Sequence, residues 1–428
     1  MKENRSFWND EIVMDIIRIV AIQSDEYSYH GIERCQKAVK KLAEKMGFKT
    51  SRHGDNEVLV IEPKGFVAPA KLGILVHLDT VPFVRKDWMY NPLGEVANDR
   101  IYGRGVLDDK AGIILALYTF KYLEDKIEPS WQIIVGSAEE TDWSDIHEFL
   151  REKPVLPKFL ITIDGDGVQN GCRGYMNLDM KFCKKKNTNF ITKLYVPDGI
   201  SNVVPNCVIA KVAGEKFRAA GVAKHSSEAI EGEGALKENA LVKLTNEISK
   251  NKFYRDEIPN FFDFMEMFQK EKCAELLGFA EGSSASPTKC KLEGRTITLR
   301  VNVRLGMETK ENELINNVMK IGEKYDSLVA IDDLVYPAYV SADSQEIRML
   351  CDAYEKVKGR RPNPSIAQGV GYNAAFPNTV IFGPRFDAMD DEDDLCHAVD
   401  ESRNIQDLKD FMNMLQLFVG EYLKNPEE

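Results

Sequence analysis

Apolar positions along the chain recur with two different periods, and the change from one to the other divides it. Ile12, Val13, Ile16, Ile17 and Val20 have helical spacing, with Asn9 or Asp10 placed to cap the helix. A second amphipathic run covers roughly 31–46 and stops at Gly47. Short, almost continuously apolar segments predict buried strands at 58–61, 72–76, 132–135 and 159–163, with a helical pattern at 109–124 among them. Such strands alternating with helices predict an α/β layer fold, a mixed, largely parallel sheet flanked by helices. After about residue 178 the texture changes. In TITLRVNVR, at 296–304, Ile297, Leu299, Val301 and Val303 take one face and Arg300, Asn302 and Arg304 the other, the pattern of a half-buried strand. Helices at about 238–250 and 311–325 would cover its apolar face. The α/β texture resumes near 340, with a helix at 345–357, a strand at 379–382 and an amphipathic C-terminal helix. The expectation is a discontinuous larger domain, 1–178 and 339–428, holding an inserted smaller α+β domain at 179–338.

Composition narrows the function classes. A chain of 428 residues exceeds one ordinary core, and 43% apolar content can fill two. The net charge of −12 is spread widely, without the basic stripe that phosphate binding needs, so nucleic acid is not an expected partner. No apolar run reaches bilayer length, and the opening MKENRSFWND lacks the pattern of a secretory signal. A cytoplasmic protein with no membrane partner is expected. The eight cysteines are scattered, without a CxxC pair, which predicts mostly buried thiols and neither a disulfide framework nor a zinc knot.

The residues just beyond the apolar strands then stand out. His77 and Asp79 come after the strand at 72–76, Glu139 and Glu140 after the strand at 132–135, and Asp164 and Asp166 after the strand at 159–163. Asp108 and Asp109 precede a helix, and His397 ends the loop after the strand at 379–382. Any one alone has an ordinary explanation: a helix cap, a turn residue, a satisfied imidazole. Together they crowd carboxylates at the sheet edge where open α/β folds bind ligands, and such charges repel unless cations lie among them. Oxygen and imidazole donors without thiolate suit Zn²⁺, Mn²⁺ or Co²⁺. Five ligands with one shared carboxylate suit two ions about 3.5–4 Å apart.

HLDTVP, GRGVLDDKAG, AEET, TIDGDG and HAVDE, in this order, resemble the co-catalytic di-zinc metallopeptidase family of aminoacylase, succinyl-diaminopimelate desuccinylase, carboxypeptidase G and the PepV-type dipeptidases, most of all the last. The resemblance implies a zinc-peptidase-like catalytic domain with a lid inserted in it. His77, Asp108 and Asp164 would hold one metal, and Asp108, Glu140 and His397 the other, with Asp108 bridging. Zn²⁺ is the first choice and Mn²⁺ or Co²⁺ the alternatives. Asp79 would orient the His77 ring. Glu139 would act as general base on the water between the metals. Adjacent residues of an extended chain point to opposite sides, so Glu139 and Glu140 could serve substrate and metal separately.

In the insert, GVAKHSSEAIEGEGALKENA resembles the family's lid segment, which gives His225 the role of stabilising an oxyanion. Asn202, Arg304, Gly369 and Gly371 fall where the family contacts substrate, Arg304 as the partner of a substrate carboxylate. Departures lie at Ala111, at Lys224 and in QGVGYNAA at 368–375, and they bear on the substrate pocket. The leading reading is a metal-dependent dipeptidase or aminoacyl hydrolase, monomeric or dimerised through its lid. The alternatives are an N-acyl amino-acid deacylase or desuccinylase, and a silent binding protein that kept the fold. Retention of every ligand and of Glu139 argues against the last.

Overall fold

The computed structural model describes residues 8–424 apart from 29, 56, 198, 230 and 386–394. The start of the opening segment and the acidic run at 387–394 lie outside the described residues. The chain forms two compact units. The first holds the described residues up to Gly171, with Tyr339–Ala367 and those from Gly371 on; the second holds Cys172–Ala338 with Gln368–Val370.

The first unit is built on a mixed sheet. Its strands run in the order Lys49–His53, Val58–Glu62, Trp131–Gly136, Leu72–His77, Phe159–Thr162, Thr379–Phe382 and Val168–Cys172. The middle four are mutually parallel, and antiparallel strands flank them. Both faces of the parallel centre are covered, which is why its strands read as apolar runs. Leu72, Ile74 and Val76 face one core with the helices Asp10–Val20, Lys110–Leu123, Gln345–Lys358 and Ile405–Tyr422. Leu75 and Ile134 face another, with Ile146 and Phe149 of the helix Ser144–Arg151. Because the central strands are parallel, their carboxyl ends share one edge, and His77, Ser137–Glu140 and Ile163–Asp164 leave from it.

The second unit is an antiparallel sheet in the order Glu215–Ala220, Cys207–Val212, Ile191–Tyr195, Ser284–Glu293, Thr296–Leu305, Gly174–Cys183, Leu328–Val335. Ile297, Leu299, Val301 and Val303 enter its core with the helices Ala240–Ser249, Pro259–Met267 and Glu311–Lys324. The opposite face of that strand departs from the sequence expectation. Asn302 and Arg304 are buried, not half-solvated, because neighbouring polar groups cover them.

Candidate metal centre

The strand Leu72–His77 ends in a buried imidazole. The Nδ1–H of His77 donates to the Asp79 backbone carbonyl at 3.1 Å, which leaves Nε2 to face Asp108 Oδ1 at 2.7 Å. The other oxygen of the same carboxylate, Asp108 Oδ2, lies 3.0 Å from His397 Nε2. His397 Nε2 is also 2.9 Å from Glu140 Oε1. Asp164 Oδ2 lies 4.0 Å from His77 Nε2. One buried carboxylate therefore stands between two imidazoles, each with a second carboxylate beside it.

Two anchors hold this arrangement. The Asp79 carboxylate accepts the backbone N–H groups of Glu139 at 3.2 Å and Glu140 at 2.9 Å, and its Oδ1 is 3.3 Å from His77 Nδ1. One side chain thus sets both the ring and the tandem glutamates. Those glutamates sit in a turn after the strand, not in extended chain, so the turn and not strand alternation separates their directions. The second anchor is Glu401, which is fully buried. It accepts from Arg104 Nη1 at 2.5 Å and from the N–H groups of Gly105 at 3.0 Å and Leu107 at 2.8 Å, while Arg104 Nη2 donates to the His397 carbonyl at 3.1 Å. His397 and Asp400 are left-handed, with φ of 61° and 58°. Each such residue costs on the order of 1 kcal/mol. The Asp400 carboxylate, accepting from the N–H groups of Met89 and Tyr90, helps hold the loop in place.

The charges record the crowding. Burial opposes charging of His77, but hydrogen bonds and fields from Asp108 and Asp79 prevail and hold its pKa well above the usual value. Burial also works against Asp108 as an anion, yet His397 and His77 pull its carboxyl well below the usual range. Burial and the Asp108 charge push Asp164 up to about 6. Burial drives Glu139 well up, and Asp164, Glu140 and Asp108 add to the effect against His77. Among the described residues no hydrogen bond holds the Glu139 carboxylate, whereas its carbonyl takes the Trp143 indole N–H at 2.9 Å. Nitrogen and oxygen donors, crowded in a way that cations would relieve, fit bound divalent ions: the donor atoms of His77, Asp108 and Asp164 lie within 4.8 Å of one another.

Of the other residues singled out in the sequence, Gly371 adjoins this centre. A Cβ there would stand 3.0 Å from Glu139 Oε1 and 3.9 Å from Asp164 Oδ2. Gly369 belongs to the second unit, and a Cβ there would meet nothing within 4 Å. Asn202, His225 and Arg304 come together within the second unit: His225 Nε2 is 3.0 Å from Arg304 Nη2 and 3.4 Å from Asn202 Nδ2. Arg300, on the same strand, is paired with Asp179 and Asp332. Arg304 has no carboxylate partner among the described residues, and burial together with the Arg173 charge lowers its pKa to about 10.

Sequence reasoning passes over several groups. Tyr372 donates to Asp145 Oδ2 at 2.6 Å and accepts the Ala138 N–H at 3.1 Å, bracing the start of the glutamate turn. Arg385 reaches Asp166 at 2.9 Å and Asp164 at 3.7 Å. The Cys396 thiol lies 3.1 Å from Asp108 Oδ2, although the scattered spacing of the cysteines gives no hint of a thiol at this centre. Arg104 and Glu401 lie inside motifs visible in the sequence, but only the fold shows that they face one another.

A mixed sheet with carboxylate and imidazole donors at the ends of its parallel strands is the layout of a metal-dependent hydrolase. Comparison with known proteins makes this specific. The family model for peptidase family M20/M25/M40 matches residues 73–421, and the chain belongs to that family. It is 24% identical to the Beta-Ala-Xaa dipeptidase of Lactobacillus delbrueckii subsp. lactis over 95% of both chains. It is also 24% identical to the putative dipeptidase YtjP of Bacillus subtilis (strain 168), over 79% of this chain and 80% of the relative. Among solved structures, an M20 family metallo-carboxypeptidase from Sulfolobus solfataricus superposes with a TM-score of 0.63 at 17% identity, covering 97% of this chain and 99% of the other. The aminoacylhistidine dipeptidase of Vibrio alginolyticus gives 0.62 at 14% identity over 99% of both. Among the described residues no helix is long and apolar enough to cross a membrane.

Proposed function

We propose that this peptidase is a dipeptidase that cleaves the amide bond of small peptides with two divalent ions, Zn²⁺ first, held by His77, Asp108 and Asp164 and by Asp108, Glu140 and His397. The observation that carries the reading is Asp108, whose two oxygens face two different imidazoles at 2.7 and 3.0 Å. Bound ions would supply an activated water and polarise the scissile carbonyl. Glu139, with its carboxylate free of hydrogen bonds among the described residues and its proton affinity raised, takes the proton of the attacking water and returns it to the leaving amine. Asp79 keeps Glu139 and the His77 ring in register. Arg304, buried without a carboxylate partner among the described residues, suits the free carboxylate of a peptide substrate, with Asn202 and His225 as its polar companions. The dipeptidase names of the two relatives agree with this reading.

The test is Glu139→Gln. Metal content is expected to match the parent while turnover of a dipeptide panel falls by about 10³-fold or more, the effect of losing a general base in an otherwise intact site. Near-normal turnover would remove Glu139 from the reaction. A parallel panel of N-acyl amino acids separates the deacylase alternative, which predicts the higher kcat/KM on that panel.

A further inference from the structure

Cys396 immediately precedes His397 in the loop fixed by Arg104 and Glu401. Its Sγ lies 3.1 Å from Asp108 Oδ2, the same oxygen that faces His397 Nε2 at 3.0 Å. The donor atoms of Asp108, Cys396 and His397 all fall within 4.8 Å of one another. The setting differs from that of a thiol enclosed by apolar side chains alone. Cys290, for example, is buried in the apolar core of the second unit. Cys396 instead faces the charged groups of Asp108, His397 and Arg385.

We propose that the Cys396 thiolate is a ligand of the ion held by Asp108, Glu140 and His397, so that this position is a mixed sulfur, nitrogen and oxygen site. The inference rests on the metal reading above. The thiol donates its hydrogen toward the carboxylate oxygen that an ion would share, so a cation there takes over the role of that hydrogen. The Sγ–metal bond forms as the S–H bond breaks, and the proton leaves to solvent. A soft sulfur donor favours Zn²⁺, Co²⁺ or Cd²⁺ over Mn²⁺ or Mg²⁺ at this position, while the His77, Asp108 and Asp164 position stays purely nitrogen and oxygen. The two positions then differ in metal preference, and only one is open to thiol reagents.

Cobalt reports on the ligand directly. The full chain, stripped with a chelator and reloaded with Co²⁺, is expected to show a near-ultraviolet sulfur-to-cobalt charge-transfer band. Cys396→Ser should lose the band while still binding cobalt, and Cys207→Ser, at a half-buried strand position of the second unit, should keep it. Zn²⁺ should also protect Cys396 of the unaltered protein from alkylation, read by peptide mass spectrometry, because a metal-bound thiolate is withdrawn from the reagent. The exposed Cys183 should label equally with and without Zn²⁺. Full cobalt occupancy without the band overturns this inference and leaves the metal centre standing. So does a band that survives in Cys396→Ser, or alkylation of Cys396 indifferent to Zn²⁺. Failure to bind cobalt at all overturns both.

Discussion

Gly371 sets a limit on the centre that distance alone explains. Its φ of −129° is open to any residue, so conformational freedom is not what the position requires. A methyl group there would stand 3.0 Å from Glu139 Oε1, tighter than ordinary van der Waals contact. Gly371→Ala is therefore expected to displace Glu139, the proposed base, not to unfold the protein. kcat should fall by about 10²-fold, the scale of an ångström-level misplacement, with melting temperature and metal content near the parent's; unchanged kcat would show that the carboxylate has room to yield. Donor residues such as His77 and Asp164 stand out in the sequence because each ends an apolar run. Cys396, Tyr372 and Arg385 do not, since their relevance depends on partners such as Asp108, Ala138 and Asp166, hundreds of residues away, that no local period encodes.

At the scale of elements, the parallel strands are legible because burial on both faces removes polar residues from them, and the strand 296–304 is legible through its alternation. The join between segments is not. Glu401 ties the loop carrying His397 to the loop carrying Asp108 across nearly three hundred residues of chain. Glu401→Gln would leave the Arg104 charge buried without its counter-ion, at a cost of about 3–5 kcal/mol. Urea unfolding should register that loss, and Zn²⁺ titration should show weaker binding as the two donor loops drift apart. An unchanged unfolding midpoint would mean that the loops are held by other contacts.

For the molecule as a whole, the proposed ions would compete with protons at one place. In metal-free protein Asp164 titrates at about 6, above its unfolded value near 4. Between these values the folded state holds a proton that the unfolded chain has lost, so stability falls as pH rises. His77 and His397, both raised, act in the same direction above about pH 6.5, the unfolded value. With chelator present, the melting temperature is expected to drop between about pH 5 and 7. Saturating Zn²⁺ should reverse that slope, because ligands must shed protons to bind it, and Asp164→Asn should flatten the metal-free slope. A chelated melting curve indifferent to pH would remove the electrostatic conflict on which the ion-binding reading depends.

The continuous part of the second unit, Cys172–Ala338, begins and ends on paired strands: Gly174–Cys183 and Leu328–Val335 are hydrogen-bonded neighbours, with Tyr175 opposite Val335. A cassette whose two ends meet can be spliced in or out without stretching its host. Residues 172–338, produced alone, are expected to fold cooperatively around their own core, with a single calorimetric transition. The surrounding sequence, closed over the gap by a few glycines and serines, should keep every donor of the proposed ion-binding set. Zinc titration of such a stub would show whether the proposed ions need the cassette at all.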